Sequence, residues 1–138
     1  MRIFLDANIL FSASFPTSHL AEFLIELQRH AVFLTSTYAT VEAERNIEAK
    51  QFQRLAAHKK FVASLEIIPL RMFDPGIKLP VKDQPILCGA IDGSADYLLT
   101  GDKKDFGPLF GKTVHGVKIV NVQMLLEELI ARGIVRKS

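Results

Sequence analysis

The sequence predicts an α/β protein in which a parallel sheet is covered by helices on both faces. Two observations carry this. Segments of strand character alternate with segments whose apolar residues recur at helical spacing. The strand candidates are also continuous apolar runs rather than alternating ones. Continuous runs suit strands buried on both faces, and the alternation is that of a sheet layered between helices.

The elements follow in chain order. Ile3-Phe4-Leu5 is a short apolar run ending at Asp6 and reads as a buried strand. Thr17 and Ser18, after Pro16, offer an N-cap. In the helix they open, Leu20, Phe23, Leu24 and Leu27 are interleaved with Glu22, Glu26 and Arg29. Val32-Phe33-Leu34-Thr35 is the second strand. A helix is predicted from about Tyr38 to Ala49, carrying Glu42, Glu44, Arg45 and Glu48. Phe52, Leu55, Ala56 and Phe61 mark another, whose other side carries Lys50, Arg54, His58, Lys59 and Lys60. Ile67 to Leu70 is a short strand, and the breakers Asp74-Pro75-Gly76 and Pro80 make the loop after it. Pro85, Ile86, Leu87, Cys88, Ala90 and Ile91 predict a helix with Asp83 as a candidate cap. Tyr97 to Thr100 is a strand and Gly101-Asp102 the turn after it. Lys118-Ile119-Val120 is the last strand. Val122, Leu125, Leu126, Leu129 and Ile130 form the stripe of a last helix ending at Gly133, and Arg136-Lys137-Ser138 are expected to fray.

The 138 residues predict one domain, 1–138, with a core of its own. Apolar residues make up 49% and charged residues 23%, which excludes disorder as the main character. The single cysteine, Cys88, excludes an intrachain disulfide and zinc ribbons. Nothing near Met1-Arg2 resembles a signal peptide, since Asp6 follows within one short run. No apolar stretch approaches the ~20 residues needed to span a bilayer. A cytoplasmic protein with no membrane partner is expected. The formal charge, +2, says little as a total.

In open parallel sheets, ligands bind at the carboxyl ends of the strands. Asp6 and Asn8 follow the first strand, and Asp102 and Asp105 follow the fourth. Asp83 opens the helix before that strand, and Glu42 and Glu44 lie early on the helix after the second. Each has a plain structural reading. Asp6 can begin a turn, Asp83 can cap a helix, and Asp102 after glycine is a common turn residue. Glutamates on a helix are usually solvated, with ion pairs of small worth. Jointly, carboxylates gathered at one edge repel, and their pKa values rise unless a cation shares them. Oxygen ligands without cysteine or histidine suit Mg²⁺ or Mn²⁺. Such ions activate water and neutralise a phosphate undergoing in-line displacement. Asn8 is a candidate to orient a carboxylate or water. The four histidines, His19, His30, His58 and His115, show no ligand spacing and read as surface or structural residues.

These segments resemble the PIN-domain family of metal-dependent nucleases over nearly the whole chain. Phe4-Leu5-Asp6-Ala7-Asn8-Ile9-Leu10 resembles its opening D-x-N segment. Thr35-Ser36, then Val41-Glu42-Ala43-Glu44-Arg45-Asn46-Ile47, resembles the second, in which a glutamate precedes an R-N-[LI] triplet. Lys82-Asp83-Gln84-Pro85-Ile86-Leu87 is similar to its K-D-x-P-I-L helix start. Leu99-Thr100-Gly101-Asp102-Lys103-Lys104-Asp105-Phe106 is similar to its T-G-D-x-x-D-F motif. The resemblance implies a Rossmann-like, three-layer α/β/α sandwich with a parallel sheet of about five strands. It implies an acidic pocket of Asp6, Glu42, Asp83 and Asp102 with Asp105 nearby. Glu42 takes the glutamate position, with Glu44 as the fallback, and Asn8 and Thr100 are polar supports. Many bacterial and archaeal members are VapBC-type toxins held inactive by an antitoxin partner, others process RNA, and some have lost activity. A homodimer is also implied. The apolar faces Leu20–Leu27 and Phe52–Phe61 are candidates for its interface, although core burial explains both more simply.

The predicted chemistry is Mg²⁺- or Mn²⁺-dependent hydrolysis of phosphodiesters in single-stranded RNA. Asp6, Asp83, Asp102 and Asp105 are the expected metal ligands, and Glu42 completes the catalytic set. Lys103 and Lys104 are the expected phosphate contacts, and the Lys50, Arg54, Lys59, Lys60 face is a second candidate. Phe15, Tyr38 and Phe106 are candidates for base stacking, with core packing the simpler role for Phe106. A haloacid-dehalogenase-type phosphatase would need an aspartate where Asn8 stands. A receiver domain would need one ending the third strand, near Pro69-Leu70. A PIN-like module that binds RNA or protein without cutting, or an RNA-processing nuclease outside toxin–antitoxin systems, is the alternative. If the five carboxylates share a pocket, the remaining ten acidic residues face 17 cationic ones, a net of +7 for the body.

Overall fold

A computed structural model describes residues 1–15 and 17–136. Pro16 lies outside the described residues, as do Lys137 and Ser138 of the predicted frayed end. The strands are β1 (Arg2–Leu5), β2 (Val32–Ser36), β3 (Glu66–Ile68), β4 (Tyr97–Leu99), β5 (Thr113–Val114) and β6 (Val117–Val120). The α-helices are α1 (Ala7–Ala13), α2 (His19–Leu27), α3 (Thr37–Lys50), α4 (Leu55–Val62), α5 (Gln84–Asp92), α6 (Lys103–Phe106) and α7 (Val122–Ala131).

One six-stranded sheet runs in the order β3-β2-β1-β4-β6-β5. Five strands are parallel, and β5 adds an antiparallel edge through a hairpin with β6. The chain first moves outward, from β1 through α1 and α2 to β2, then through α3 and α4 to β3. It then returns by α5 to β4 on the far side of β1. Right-handed crossovers in opposite directions place the two sets of helices on opposite faces. The result is a three-layer α/β/α sandwich in which strand order reverses between β1 and β4.

Local sequence accounts for the helix starts. Ser18, Ser36 and Asn121 accept hydrogen bonds from Ala21, Ala39 and Met124 backbone N–H groups and so cap α2, α3 and α7. Sequence reading assigned no helix to Ala7–Ala13, yet Asp6 caps one there. Its apolar residues are too few to display a period. Tight packing sets the position of α5. A Cβ on Gly89 would lie 3.0 Å from the Phe4 ring, so glycine lets the helix approach β1 closely. Phe4, Leu5, Leu34, Leu98 and Ile119 are fully buried at the centre, together with Phe106, which is therefore a core residue.

Among the described residues, no helix is long and apolar enough to cross a membrane. Phe4→Ala is expected to cost about 3–5 kcal/mol of stability in urea unfolding. A loss below about 1 kcal/mol would place Phe4 outside the packed core.

Candidate active site

Leu5 lies opposite Leu99 in the parallel pairing of β1 and β4, so Asp6 and Thr100 leave the sheet side by side. This is the point where strand order reverses, the usual crevice of an open α/β sheet. The Asp6 N–H donates to the Leu99 carbonyl at 3.1 Å and extends the ladder by one residue. Asp6 Oδ1 accepts from the Ala7 N–H at 2.6 Å. Asp6 Oδ2 accepts from the Thr100 hydroxyl at 2.7 Å and from Asn8 Nδ2 at 3.3 Å. The Thr100 oxygen in turn accepts from the Asp102 N–H at 3.1 Å. Asn8 Oδ1 accepts from the Gly101 N–H at 2.9 Å. One network therefore ties the two strand ends together.

A carboxylate trio stands beside this network. Asp102 caps α6 by accepting from the Asp105 N–H at 3.1 Å. Asp83 occupies the cap position of α5 but makes no capping bond, contrary to its plain reading from sequence. It is 7% exposed, and its Oδ2 is buried without a hydrogen-bond partner. Ligand oxygens of Asp83, Asp102 and Asp105 all lie within 4.8 Å of one another. Asp6, expected among the metal ligands, is not in that trio. Its two oxygens are turned instead to Ala7, Thr100 and Asn8.

The glutamates separate by helical geometry. Residues two apart on a helix point about 200° apart. Glu42 is half-buried, and its charge reaches both Asp6 and Tyr38. Glu44 is turned to α4, with Oε1 4.0 Å from Lys59 Nζ. Lys103 and Lys104 are exposed beside the trio, and the positive charge of Lys104 reaches Asp105. Arg54 lies over the Phe15 ring, 3.2 Å from its centroid, which occupies that ring face. His58 is buried on α4, and His115 is hydrogen-bonded to the Pro75 carbonyl at 2.8 Å.

Lys82 was not singled out from sequence, although it stands in the K-D-x-P-I-L segment. Its Nζ lies 3.2 Å from Asp105 Oδ2. Its carbonyl accepts from the Tyr38 hydroxyl at 2.9 Å, which places Tyr38 at the rim of the pocket.

Burial pushes the Asp6 carboxyl up to about 6, although the bonds from Thr100 and Ala7 favour its charged form. The charges of Glu42 and Asp102 push it the same way as burial. Burial likewise pushes Asp83 up to about 7, and the adjacent Asp105, able to share its proton, adds to the rise. Asp105 is held low because it can accept the proton of a protonated Asp83 and because it faces Lys82. Burial raises the Tyr38 phenol, with Glu42, Asp83 and Asp6 adding to it.

The trio fits a divalent cation. Its donors are all hard oxygens, and the buried Asp83 Oδ2 has no hydrogen-bond partner among the described residues.

No family model matches the sequence. Solved structures share the fold. A chain of VapBC2 from Rickettsia felis, bound to a promoter DNA fragment, is 19% identical, with 88% of this chain and 98% of that one covered and a TM-score of 0.65. A chain of DNA-bound VapBC from Salmonella typhimurium is 17% identical at the same coverages, with a TM-score of 0.61. A chain of VapBC-1 from nontypeable Haemophilus influenzae is 17% identical, again at 88% and 98%, with a TM-score of 0.58. The fold is PIN-like. At these identities the likeness is one of architecture, and the pocket lies at the strand-order reversal of that architecture.

The raised carboxyls give a pH test. Asp6 and Asp83 bind protons more tightly folded than unfolded, so their contribution favours the metal-free fold in acid. That contribution is lost as pH rises from about 4 through the folded values of about 6 and 7. A divalent ion needs the ionised forms. Mn²⁺ is therefore expected to raise the melting temperature at pH 8 and to leave it unchanged at pH 5. Equal shifts at both pH values would exclude these carboxylates as the ligands.

Proposed function

We propose that this single PIN-like domain is a Mg²⁺- or Mn²⁺-dependent endoribonuclease that hydrolyses single-stranded RNA, the toxin of a VapBC-type pair. The observation that carries this reading is the meeting of Asp83, buried and with one oxygen lacking a hydrogen-bond partner among the described residues, with Asp102 and Asp105 at the crevice of a PIN-like fold. Asp83, Asp102 and Asp105 would hold the ion. When bound, it supplies neutralisation of the phosphate and activation of water. Asp6 and Glu42 form the neighbouring acidic wall, and Thr100 and Asn8 fix Asp6 by donating to it. Water oxygen bonds to phosphorus as the P–O ester bond breaks, and the proton lost by that water is balanced by one gained by the departing alkoxide oxygen, which leaves as a hydroxyl. Lys103 and Lys104 sit where the RNA backbone would cross the pocket edge.

The likeness to chains of VapBC complexes supports an antitoxin protein as partner. An apolar groove of about 350 Å³, lined by Ala13, Ala21, Ile25, Ala57 and Phe61, supports a seat for a protein segment. Ile25 is 62% exposed there. The faces of α2 and α4 are thus not wholly absorbed into the core. A homodimer and a cytoplasmic location belong to the same reading.

Cleavage of a labelled single-stranded RNA with Mn²⁺ or Mg²⁺ tests it. Asp102→Asn and Asp6→Asn are expected to reduce cleavage to background, and EDTA to stop it. Thr100→Val, which frees Asp6 from its donor, is expected to cost about 10–100-fold. Unchanged cleavage by Asp6→Asn would overturn the catalytic assignment, and EDTA-resistant cleavage would overturn the metal. RNA binding without cleavage in every condition would favour a non-catalytic module.

A further inference from the structure

We propose that Lys82 is a phosphate-positioning residue whose ammonium exchanges between Asp105 and the RNA backbone when a divalent ion enters. The inference rests on the nuclease reading above. The Lys82–Asp105 pair, 3.2 Å apart, joins unequal partners, since the lysine side chain is 64% exposed and the aspartate side chain 10%. Asp105 is fixed on α6, whereas the ammonium hangs on a flexible four-carbon stem.

The main chain at the root of that stem is anchored. The Lys82 carbonyl accepts from Tyr38. The adjoining turn is closed by Asp83 and Gln84 N–H groups donating to the Pro80 carbonyl at 2.9 and 3.2 Å. The side chain therefore moves about a fixed point beside the trio.

Asp105 cannot serve two cations equally. An ion held by Asp83, Asp102 and Asp105 would draw on the carboxylate whose Oδ2 now faces the ammonium, and the two positive charges would repel. Once displaced, the ammonium stays within one side-chain length of the pocket, where a phosphate oxygen is its natural partner. Lys103 and Lys104 sit differently. They lie on α6 itself, and the ion pair to Asp105 is made by Lys82. Metal binding thus converts Lys82 from an internal counter-ion into an RNA contact.

The test uses the full chain, with Lys82→Met and Lys82→Arg. Lys82 is exposed, so both variants are expected to fold, which thermal melts check. Mn²⁺ affinity is read by calorimetry without RNA. Removing the competing charge in Lys82→Met is expected to tighten Mn²⁺ binding about fivefold. Binding of a labelled single-stranded oligoribonucleotide is read by stopped-flow anisotropy, before cleavage, across a salt series. For the wild type, Mn²⁺ is expected to steepen the slope of log K against log salt by about 0.7, one added phosphate contact on a single strand. Lys82→Arg is expected to keep that increment and Lys82→Met to lose it. An increment retained by Lys82→Met, with Mn²⁺ affinity unchanged, would overturn the exchange while leaving the nuclease reading intact. A wild type that binds Mn²⁺ but no RNA would overturn both.

Discussion

The parallel register of β1 with β4 is the constraint on which the pocket depends. Leu5 pairs with Leu99, so the next residue of each strand, Asp6 and Thr100, must emerge together. The Thr100 hydroxyl then has a carboxylate to donate to and the Asp102 N–H to accept from. A shift of one residue would turn every side chain of a strand to the other face and separate this pair. The hydrophobic run Ile3-Phe4-Leu5, fully buried, prevents that shift. Core packing and site geometry are therefore one problem at this edge. Gly89 extends the same logic to the opposite layer, because close contact of α5 with Phe4 sets where Asp83 begins its helix.

Asn8 shows why the amide matters at its position. Its Nδ2 donates to Asp6, and its Oδ1 accepts from Gly101, so it joins the loops after β1 and β4. An aspartate could accept from Gly101 but could not donate to Asp6. It would also add another negative charge beside a carboxyl already pushed up by its neighbours. The resulting network fixes Asp6 beside the trio that could hold a cation.

Much of this was legible because hydrophobic runs and helix caps act locally. The strands of the central sheet, the cap Ser18, and the carboxylates at strand ends all declare themselves over a few residues. The choice between Glu42 and Glu44 was legible only in part. Helical spacing puts them on different faces, but which face meets Asp6 depends on how α3 lies against α1. Asp83 was harder still, since a cap aspartate and a buried ligand aspartate look alike when flanked by Gln84 and Pro85. What distinguishes them is the orphaned Oδ2, a property of three dimensions. Lys82 was missed for the same reason. It meets Asp105 across 23 residues of chain, through the return of α5 and β4 to one edge.

The overall charge of +2 conceals a conflict that the structure lays out in space. A cleft holding Asp6, Glu42 and the trio repels a phosphate backbone, even as the 17 lysines and arginines of the chain attract one. Without a cation the cleft relieves its own repulsion in two ways. Asp83 holds a proton toward neutral pH, and Lys82 covers Asp105. Both act on carboxylates of the trio that could hold a metal ion. On the proposed exchange, a divalent ion would displace the ammonium from Asp105 and leave it at the pocket edge, adding positive charge where phosphate would approach. On that proposal, Lys82 joins the already exposed Lys103 and Lys104 at the basic rim once an ion is held, and the pocket's attraction for phosphate depends on its occupancy.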